Sequence, residues 1–168
     1  MDPHPSTEVL AYLSARDALD AFDRGDLTSS SLVASLLERI AALDPEATDT
    51  SLRAIAALSP DALDVARDRD DERRRGERRG PLHGVPVVVK DNVEAAGLPG
   101  WAGSTALRGR PARDAELVGR LRSAGAIVLA STNLSEWANL RSRHSSSGWS
   151  AAGGLVANPW ALDRSAGG

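Results

Sequence analysis

A run of apolar, mostly β-branched residues, Val85–Val89, constrains the fold more than any other stretch of this chain. Three consecutive valines leave neither face of the run polar, so it predicts a strand that is buried on both faces. A second apolar run, 126–130, follows a helical pattern that begins at Asp114 and ends near Gly125. Strand, helix and strand at this spacing predict a βαβ unit with a right-handed crossover and two parallel strands. The chain is therefore predicted to have an α/β fold.

Two helices are predicted in an N-terminal helical segment at about residues 8–45. Ser14, followed by an acidic first turn, is typical of an N-cap, and Gly25 stands where the first helix should end. Thr28 precedes apolar residues at helical spacing, and Pro45 should end this second helix.

The rest of the chain, about residues 52–168, is predicted to form the βαβ core of the same single domain. A strand is expected at 52–58, and the Ser-Pro-Asp sequence at 59–61 is typical of a helix start. From Ser131 onward the chain is rich in loop residues, with one short helix predicted at 135–140.

The composition excludes several kinds of function. The chain has no cysteine, so it has no disulfide, thiolate nucleophile or cysteine-bound metal. Its three histidines lack the spacing of a metal site. A net charge of -3 gives no general reason to expect a nucleic-acid partner. At 67–79 acidic residues are interleaved with arginines and no aromatic residue interrupts them, which favours a solvated helix face with ion pairs over a nucleic-acid contact.

Neither a secretion signal nor a membrane-spanning segment is expected. The first five residues lack a cationic stretch followed by apolar residues. No apolar run approaches the roughly 20 residues that a spanning helix needs. We therefore expect a cytoplasmic protein without a membrane partner.

Polar residues follow both predicted parallel strands. The segment 90–92 (Lys-Asp-Asn) comes directly after the first strand, and 131–133 (Ser-Thr-Asn) follows the second. Loops at the carboxyl ends of parallel strands open on the same edge of the sheet, so we expect one site there. A lysine in a dry place at such an edge can lose its proton and act as a general base. Taken alone, Lys90 is more simply interpreted as a lysine whose ammonium pairs with Asp91.

Other candidate chemistries have weaker support. The segment 148–152, Gly-Trp-Ser-Ala-Ala, nearly matches the G-x-S-x-G motif of serine hydrolases, but it lacks the strand and helix that the motif needs, so a serine in a tight loop is favoured. His83 is interpreted as a hydrogen-bonded residue of a turn, not as a base. The tryptophans either line a pocket or anchor the core and loops; they are Trp101, Trp137, Trp149 and Trp160.

The segment 80–92, Gly-Pro-Leu-His-Gly-Val-Pro-Val-Val-Val-Lys-Asp-Asn, strongly resembles the amidase signature family, whose members carry a catalytic lysine in a G-x-P-x-x-x-K-D motif. The resemblance covers nearly everything from Leu27 onward. Further segments also resemble the family. Residues 97–99 with 102–104 resemble its loop after that lysine, and 114–133 resemble its next helix and strand. Residues 158–159 with 164–168 resemble the approach to its glycine- and serine-rich signature. The segments 132–139 and 147–150 are most similar to the peptide amidase branch.

The resemblance implies the N-terminal part of the amidase signature fold, a mixed β-sheet flanked by helices that is incomplete in this chain. It also implies hydrolysis of a small-molecule or peptide amide to an acid and ammonia. The family uses a serine nucleophile, a bridging serine on a cis peptide bond and a lysine, and it needs no metal or cofactor. By resemblance, Lys90 is the base, and Trp137, Ala138 and Asn139 are candidates for binding substrate.

One departure from the family pattern bears on activity. In the family the bridging serine directly follows the glycine pair that Gly167 and Gly168 match, and the nucleophile comes later. The chain holds neither serine, so by itself it is predicted to be inactive. Gly100 and Trp101 stand where the family usually has threonines, which leaves substrate preference open. Two alternatives remain, the A subunit of the tRNA-dependent amidotransferase and a non-catalytic interaction fragment, and the oligomeric state is not predicted.

Overall fold

The computed structural model describes residues 10, 12–45, 51–110, 112–140, 143–144 and 146–167. Gly168 and the start of the predicted N-terminal helical segment lie outside these residues. The helices are α1 (Ala15–Arg24), α2 (Ser29–Leu43), α3 (Ala62–Arg74) and α4 (Glu116–Ser123). The strands, β1 to β7 in chain order, are Ile55–Leu58, Pro86–Lys90, Ile127–Thr132, Trp149–Ser150, Gly154–Leu155, Ala157–Asn158 and Ala161–Ser165.

The predicted limits of the first two helices are confirmed. The Ser14 hydroxyl accepts a hydrogen bond from the Asp17 amide, and the Asp17 carboxylate accepts one from the Ser14 amide, which together form a capping box. Gly25 ends α1 in the left-handed conformation, with φ at 76°. Thr28 caps α2 with the same pattern of side-chain and backbone bonds as Ser14.

Helix α3 begins later than the Ser-Pro-Asp sequence at 59–61 predicts. The Ser59 amide donates to the Leu129 carbonyl of β3 (2.9 Å), so Ser59 is still paired with the sheet. Its hydroxyl donates to the Asp61 carboxylate (2.5 Å) and does not cap the helix amides. The helix therefore begins at Ala62, with Asp61 as its N-cap residue.

The central sheet has three strands in the order β1-β3-β2. β2 and β3 are parallel, with Lys90 opposite Thr132, whereas β1 is antiparallel to β3. Since α4 connects β2 to β3, the predicted βαβ unit and mixed sheet are confirmed. The carboxyl ends of β2 and β3 lie side by side, and there the Asp91 amide donates to the Thr132 carbonyl (2.9 Å).

Successive residues of β3 pack against helices on opposite faces of the sheet. Ile127 and Leu129 share a core cluster with residues of α2 and α3, whereas Val128 shares one with Val118 of α4. Ile127 and Val118 are fully buried, each at 0% exposure. Burial of each such side chain stabilises the fold by about 1.5–3 kcal/mol, so both layers hold β3 firmly in place.

Strand β2 is less buried than its sequence predicts. It is one of the two outer strands of the sheet, and one of its faces is only partly covered. Val89 is buried in the α4 layer, but Val88 is 49% exposed. The expectation of a strand buried on both faces is therefore wrong for β2 and holds only for β3, the middle strand.

The charged run at 67–79 is only in part the solvated face that its sequence predicts. Ion pairs occur along α3, but Arg69 is only 7% exposed, and the side chains of Asp70 and Arg73 are 12% and 13% exposed. Arg69 and Asp70 lie three and four positions after the buried Ala66, and Arg73 lies four and three positions after these two, so all of them share the inward face of the helix. The prediction is therefore wrong for this inward face.

The buried charges of α3 connect it to the elements on either side. The Arg73 guanidinium donates to the Asp70 carboxylate (2.8 Å), the Ser29 hydroxyl (3.2 Å) and the His83 carbonyl (3.2 Å). It also lies 4.6 Å from the centre of the Phe22 ring. The Asp70 carboxylate accepts the Ser29 amide at the start of α2 (2.8 Å). Together these bonds fix α2 and α3 against the segment that leads into β2.

Two hairpins in the last part of the described chain are absent from the sequence prediction. β4 pairs with β5, and β6 pairs with β7. The first three of these strands have two residues each, which is too short for an alternating pattern to be visible in the sequence.

Membrane spans and metal clusters are both missing from the described ranges. Among the described helices, none has the length and apolar character needed to cross a membrane. In the same residues, no group of three or more His, Cys, Asp or Glu side chains is placed to hold a metal ion.

Candidate active site

Lys90 is the last residue of β2 and lies at the carboxyl edge of the sheet. It is exposed, and the ion pairs formed among the described residues do not include it. The simple interpretation of a Lys90–Asp91 ion pair is therefore wrong. Neighbouring residues of an extended chain point to opposite sides, and Asp91 points into the protein while Lys90 points out.

The dry environment expected around the Lys90 amine is not formed by the described residues. Val88 and Asn92, which lie on either side of it along the chain, are also exposed. The outer position of β2 explains this exposure, because no further strand among the described residues covers that side. A lysine here becomes a base only if additional groups exclude water from its amine.

Asp91 is buried directly beside Lys90, at 2% exposure. Its two carboxylate oxygens accept hydrogen bonds from the amides of Trp101 (3.3 Å) and Gly103 (3.0 Å). Its carbonyl accepts the Ala102 amide (3.1 Å). Burial raises the pKa of the Asp91 carboxyl, while the two amide bonds act in the opposite direction. Asp91 thus holds the loop that follows the lysine.

The candidate substrate residues form a left-handed turn. Trp137, Ala138 and Asn139 have φ values of 51°, 52° and 65°, a backbone conformation that residues other than glycine rarely adopt. The turn lies within the short 3₁₀ helix Glu136–Asn139, where the sequence predicts a short helix at 135–140. The Trp137 amide donates to the Ala102 carbonyl (2.9 Å), so the turn is bonded to the loop held by Asp91.

Asn133 connects the end of β3 to the β4–β5 hairpin. Its amide oxygen accepts the Ser150 hydroxyl (2.7 Å) and the Leu134 amide (2.8 Å). Its amide nitrogen donates to the carbonyls of Arg53 (3.0 Å) and Gly154 (3.3 Å). Both the oxygen and the nitrogen of its side-chain amide therefore serve to fix the chain just before the left-handed turn.

Two further side chains fix the start of the turn against the same hairpin region. The Ser135 hydroxyl accepts the Gly148 amide (2.7 Å), and the Glu136 carboxylate accepts the Ala151 amide (2.8 Å). A strained turn persists when its surroundings determine its shape, and these bonds provide such surroundings.

Ser150, the serine of the near match to G-x-S-x-G, has a structural role. It is 1% exposed. Its hydroxyl donates to Asn133 (2.7 Å) and accepts the Gly153 amide (2.9 Å). With its hydroxyl used in this way, Ser150 has the structural role that the sequence favours, although it lies in β4 and not in a loop.

His83 is also structural. Its Nε2 is 3.0 Å from the Arg69 carbonyl, its Nδ1 accepts the Arg79 amide (3.2 Å), and the ring is 1% exposed. Burial lowers its pKa, which favours the neutral ring. The interpretation of His83 as a hydrogen-bonded residue of a turn is confirmed.

A sequence model of the family described as Amidase matches residues 31–168. The chain belongs to the amidase family. The match includes Lys90, Asp91, Asn133 and the turn at 137–139, so the whole candidate site lies within it.

Three relatives illustrate the similarity. Native peptide amidase from Stenotrophomonas maltophilia has 50% identity and a TM-score of 0.89, over 94% of this chain and 32% of that one. An amidase family protein from Bacillus anthracis has 33% identity and a TM-score of 0.84, over 96% and 32%. The A subunit of glutamyl-tRNA(Gln) amidotransferase from Salinispora arenicola is 41% identical over 160 residues, 95% of this chain and 31% of that protein. The chain thus spans 31–32% of the length of these relatives.

The basic residues of this amidase family chain single out Lys90. Of the 20 lysines and arginines, Lys90 is the only lysine, and all others are arginine. An arginine keeps its proton in proteins, whereas a lysine can lose it when water is excluded. The one side chain among these 20 that is able to become a neutral base thus lies at the carboxyl edge of the parallel strands.

Two residues of the site have roles that the sequence pattern does not reveal. The pattern indicates Asp91 only as a partner for Lys90, and Asn133 only as part of a strand exit. The available signal is a polar residue directly after each strand, which is a common position for a side chain that holds a loop. Asp91 accepts the amides of Trp101 and Gly103, and Asn133 donates to the carbonyls of Arg53 and Gly154. These groups become neighbours only in the folded chain.

Proposed function

We propose that the protein carrying this chain hydrolyses a carboxylic amide to an acid and ammonia, with Lys90 as its general base. Two hydrogen bonds of Ala102 carry the proposal. Its amide donates to the Asp91 carbonyl (3.1 Å), and its carbonyl accepts the Trp137 amide (2.9 Å). They link the candidate base to the candidate substrate turn at one edge of the sheet, in a chain of the amidase family.

In the proposed reaction, the neutral amine of Lys90 removes a proton from a serine hydroxyl through a bridging serine. The serine oxygen attacks the amide carbon, and the lysine ammonium then gives the proton to the leaving nitrogen. Water hydrolyses the acyl-serine that remains. Both serines, and the residues that would exclude water from Lys90, would come from the part of the relatives' length that this chain does not span. Residues 1–168 are then one part of a single amidase domain.

Trp137, Ala138 and Asn139 are proposed to bind the substrate. Their left-handed turn presents the Trp137 side chain at 36% exposure, which leaves apolar aromatic surface available for contact. The 50% identity to an enzyme named peptide amidase supports a peptide amide as the substrate.

A second candidate function is that of an amidotransferase A subunit. The 41% identity to such a protein over 95% of this chain favours it. The two functions differ in partners, since an amidotransferase subunit would co-purify with other subunits from its native cells, whereas a stand-alone amidase would not.

A chimera tests the proposed function. Residues 1–168 replace the matching third of the S. maltophilia peptide amidase, and ammonia release from a peptide amide is measured. We expect turnover with Lys90 and none above background with either Lys90→Met or Lys90→Arg, because arginine keeps the charge but cannot act as a base. Circular dichroism and gel filtration establish that all three proteins are folded.

The comparison of the two variants decides the role of Lys90. Equal turnover with Lys90→Arg and with Lys90 would contradict a general base, since charge alone would then suffice. Turnover by the purified 168-residue chain would contradict the prediction that it lacks activity without the two serines. The cytoplasmic location remains a prediction for cell fractionation to test.

A further inference from the structure

Asp91 is a buried carboxylate that lacks a cation partner among the described residues. The ion pairs formed by those residues do not include it, although it is 2% exposed. Burial of a charged carboxylate is costly unless hydrogen bonds compensate for it. Here the compensation comes from two backbone amides of one loop, those of Trp101 and Gly103.

That loop has a strained backbone which Asp91 holds from both sides. Ala102 and Gly103 are consecutive left-handed residues, with φ values of 49° and 74°. An alanine is disfavoured in this conformation and keeps it only where its surroundings require it. The Asp91 carboxylate bonds the amide before Ala102 and the amide after it, and the Asp91 carbonyl bonds the Ala102 amide itself.

The loop in turn holds two other parts of the site. The Ala102 carbonyl accepts the Trp137 amide, and the Gly103 carbonyl accepts the Ala152 amide, both at 2.9 Å. The space around Gly103 is so tight that a Cβ atom there would lie 2.7 Å from the Ser150 Cβ. A shift of the loop is therefore transmitted to the turn at 137–139 and to the β4–β5 hairpin.

We propose that Asp91 is a positioning residue of the amidase reaction, which holds the Trp101–Gly103 loop, and through it the Trp137 turn, at a fixed distance from Lys90. Asp91 neither touches the substrate nor moves a proton in this proposal. Its hydrogen bonds keep the distance between Lys90 and the turn at 137–139 constant. The inference rests on the proposed function for its catalytic part, whereas its structural part stands independently.

The test compares Asp91→Asn with Asp114→Asn. An asparagine at 91 keeps the shape, but it accepts only one of the two amides and turns an N–H toward the other. Asp114 is the matched control, because its carboxylate also holds a backbone amide, that of Ala96 (2.8 Å), and pairs with Arg122 (3.2 Å). Its bonds do not reach Ala102 or Trp137.

Amide hydrogen exchange in the 168-residue chain tests the structural part. For Asp91→Asn we expect at least tenfold faster exchange at Gly103 and Trp137, with no change at Ala130 in β3. Unchanged exchange at Trp137, which is two hydrogen bonds from position 91, would overturn the proposal. Equal acceleration at Ala130 would also overturn it, since the effect would then be global unfolding.

Kinetics of the chimera test the catalytic part. We expect Asp91→Asn to lower kcat roughly 10- to 100-fold with a KM within about threefold, because a misplaced base costs rate more than binding. Asp114→Asn should keep kcat within about twofold. Equal losses of kcat in both variants would overturn positioning by Asp91. If Lys90→Arg is inactive while Asp91→Asn has the unsubstituted kcat, the positioning role fails and the proposed function stands. If Lys90→Arg is as active as the unsubstituted chimera, the proposed function fails and the exchange experiment alone decides the role of Asp91.

Discussion

Asp44 shows, at the scale of single residues, how one carboxylate determines a local structure. One of its oxygens accepts the Ser51 hydroxyl and the Arg53 amide, both at 2.5 Å. The other accepts the amides of Ala54 and Ile55, both at 2.8 Å. Asp44 thereby joins the end of α2 to the start of β1. It also stabilises Arg53 in its left-handed conformation, at φ 51°.

Asp44→Asn is expected to lower the free energy of unfolding by about 3 kcal/mol, because an asparagine loses acceptors and faces backbone amides with its own N–H groups. Urea denaturation followed by circular dichroism measures the change. Asp20→Asn is the control, since Asp20 is exposed on α1, and it should change the free energy by less than about 0.5 kcal/mol. Equal effects of the two substitutions would show that the Asp44 bonds contribute no specific stability.

Helix α3 shows, at the scale of elements, that a highly charged helix can have a buried polar face. Glu72, with its side chain 12% exposed, accepts hydrogen bonds from Arg69 (2.8 Å) and Arg79 (2.6 Å). Its carboxylate also lies 3.8 Å from His83 Nδ1. The hydrogen bond from Arg79 is the main cause that lowers the pKa of Glu72 from 4.5 to about 2, against the effect of burial. Glu72 therefore joins α3 to the segment that leads into β2.

The lowered pKa predicts how stability depends on pH. The folded state favours the ionised form of Glu72, so its contribution is fully present above pH 4.5 and is lost as the pH falls toward about 2. We expect the Glu72→Gln chain to be less stable than the unsubstituted chain at pH 7. We also expect it to lose less stability than the unsubstituted chain as the pH falls from 4.5 to about 2. Urea denaturation at several pH values measures this difference.

Glu38→Gln is the control for that experiment, because Glu38 is on α2 and forms none of the ion pairs of the described residues. It should leave both the stability at pH 7 and the acid dependence unchanged. A Glu72→Gln chain with the same acid dependence as the unsubstituted chain would assign that dependence to other carboxylates.

At the scale of the whole molecule, the outer strands of the central sheet determine how the chain associates with other chains. Both outer strands carry exposed apolar side chains, Leu58 of β1 at 45% and Val88 of β2 at 49%. An outer strand also offers unpaired backbone groups to another chain. The 168-residue chain by itself is therefore expected to self-associate through β2.

Val88→Lys should weaken that association roughly tenfold, because a charged side chain on an outer strand opposes pairing with a second strand. Sedimentation velocity over a range of concentrations measures the association. Leu117→Lys is the control, since Leu117 is 56% exposed but lies on α4. A monomeric unsubstituted chain, or equal weakening by the two lysines, would contradict association through the strand.

The sequence by itself determined the features that depend on near neighbours. The caps at Ser14 and Thr28 and the end of α1 at Gly25 were predictable, because the bonded groups lie within a few residues. The βαβ unit was predictable from two apolar runs around a helical pattern, and the rule for parallel strands placed segments 90–92 and 131–133 at one edge. The role proposed for Lys90 came from a family motif, not from periodicity.

Only the tertiary structure decided which charges are buried and which side chains hold the loops. The inward face of α3, the two amides on Asp91 and the four bonds of Asn133 join residues that are mostly far apart in sequence. The exposure of Val88 likewise depends on the position of β2 as an outer strand, and the sequence of β2 does not reveal this position. The physical reason is the distance along the sequence over which each kind of interaction acts. Caps and periodicity act within one or two turns of chain, whereas burial and loop anchoring depend on which distant segments the fold brings together.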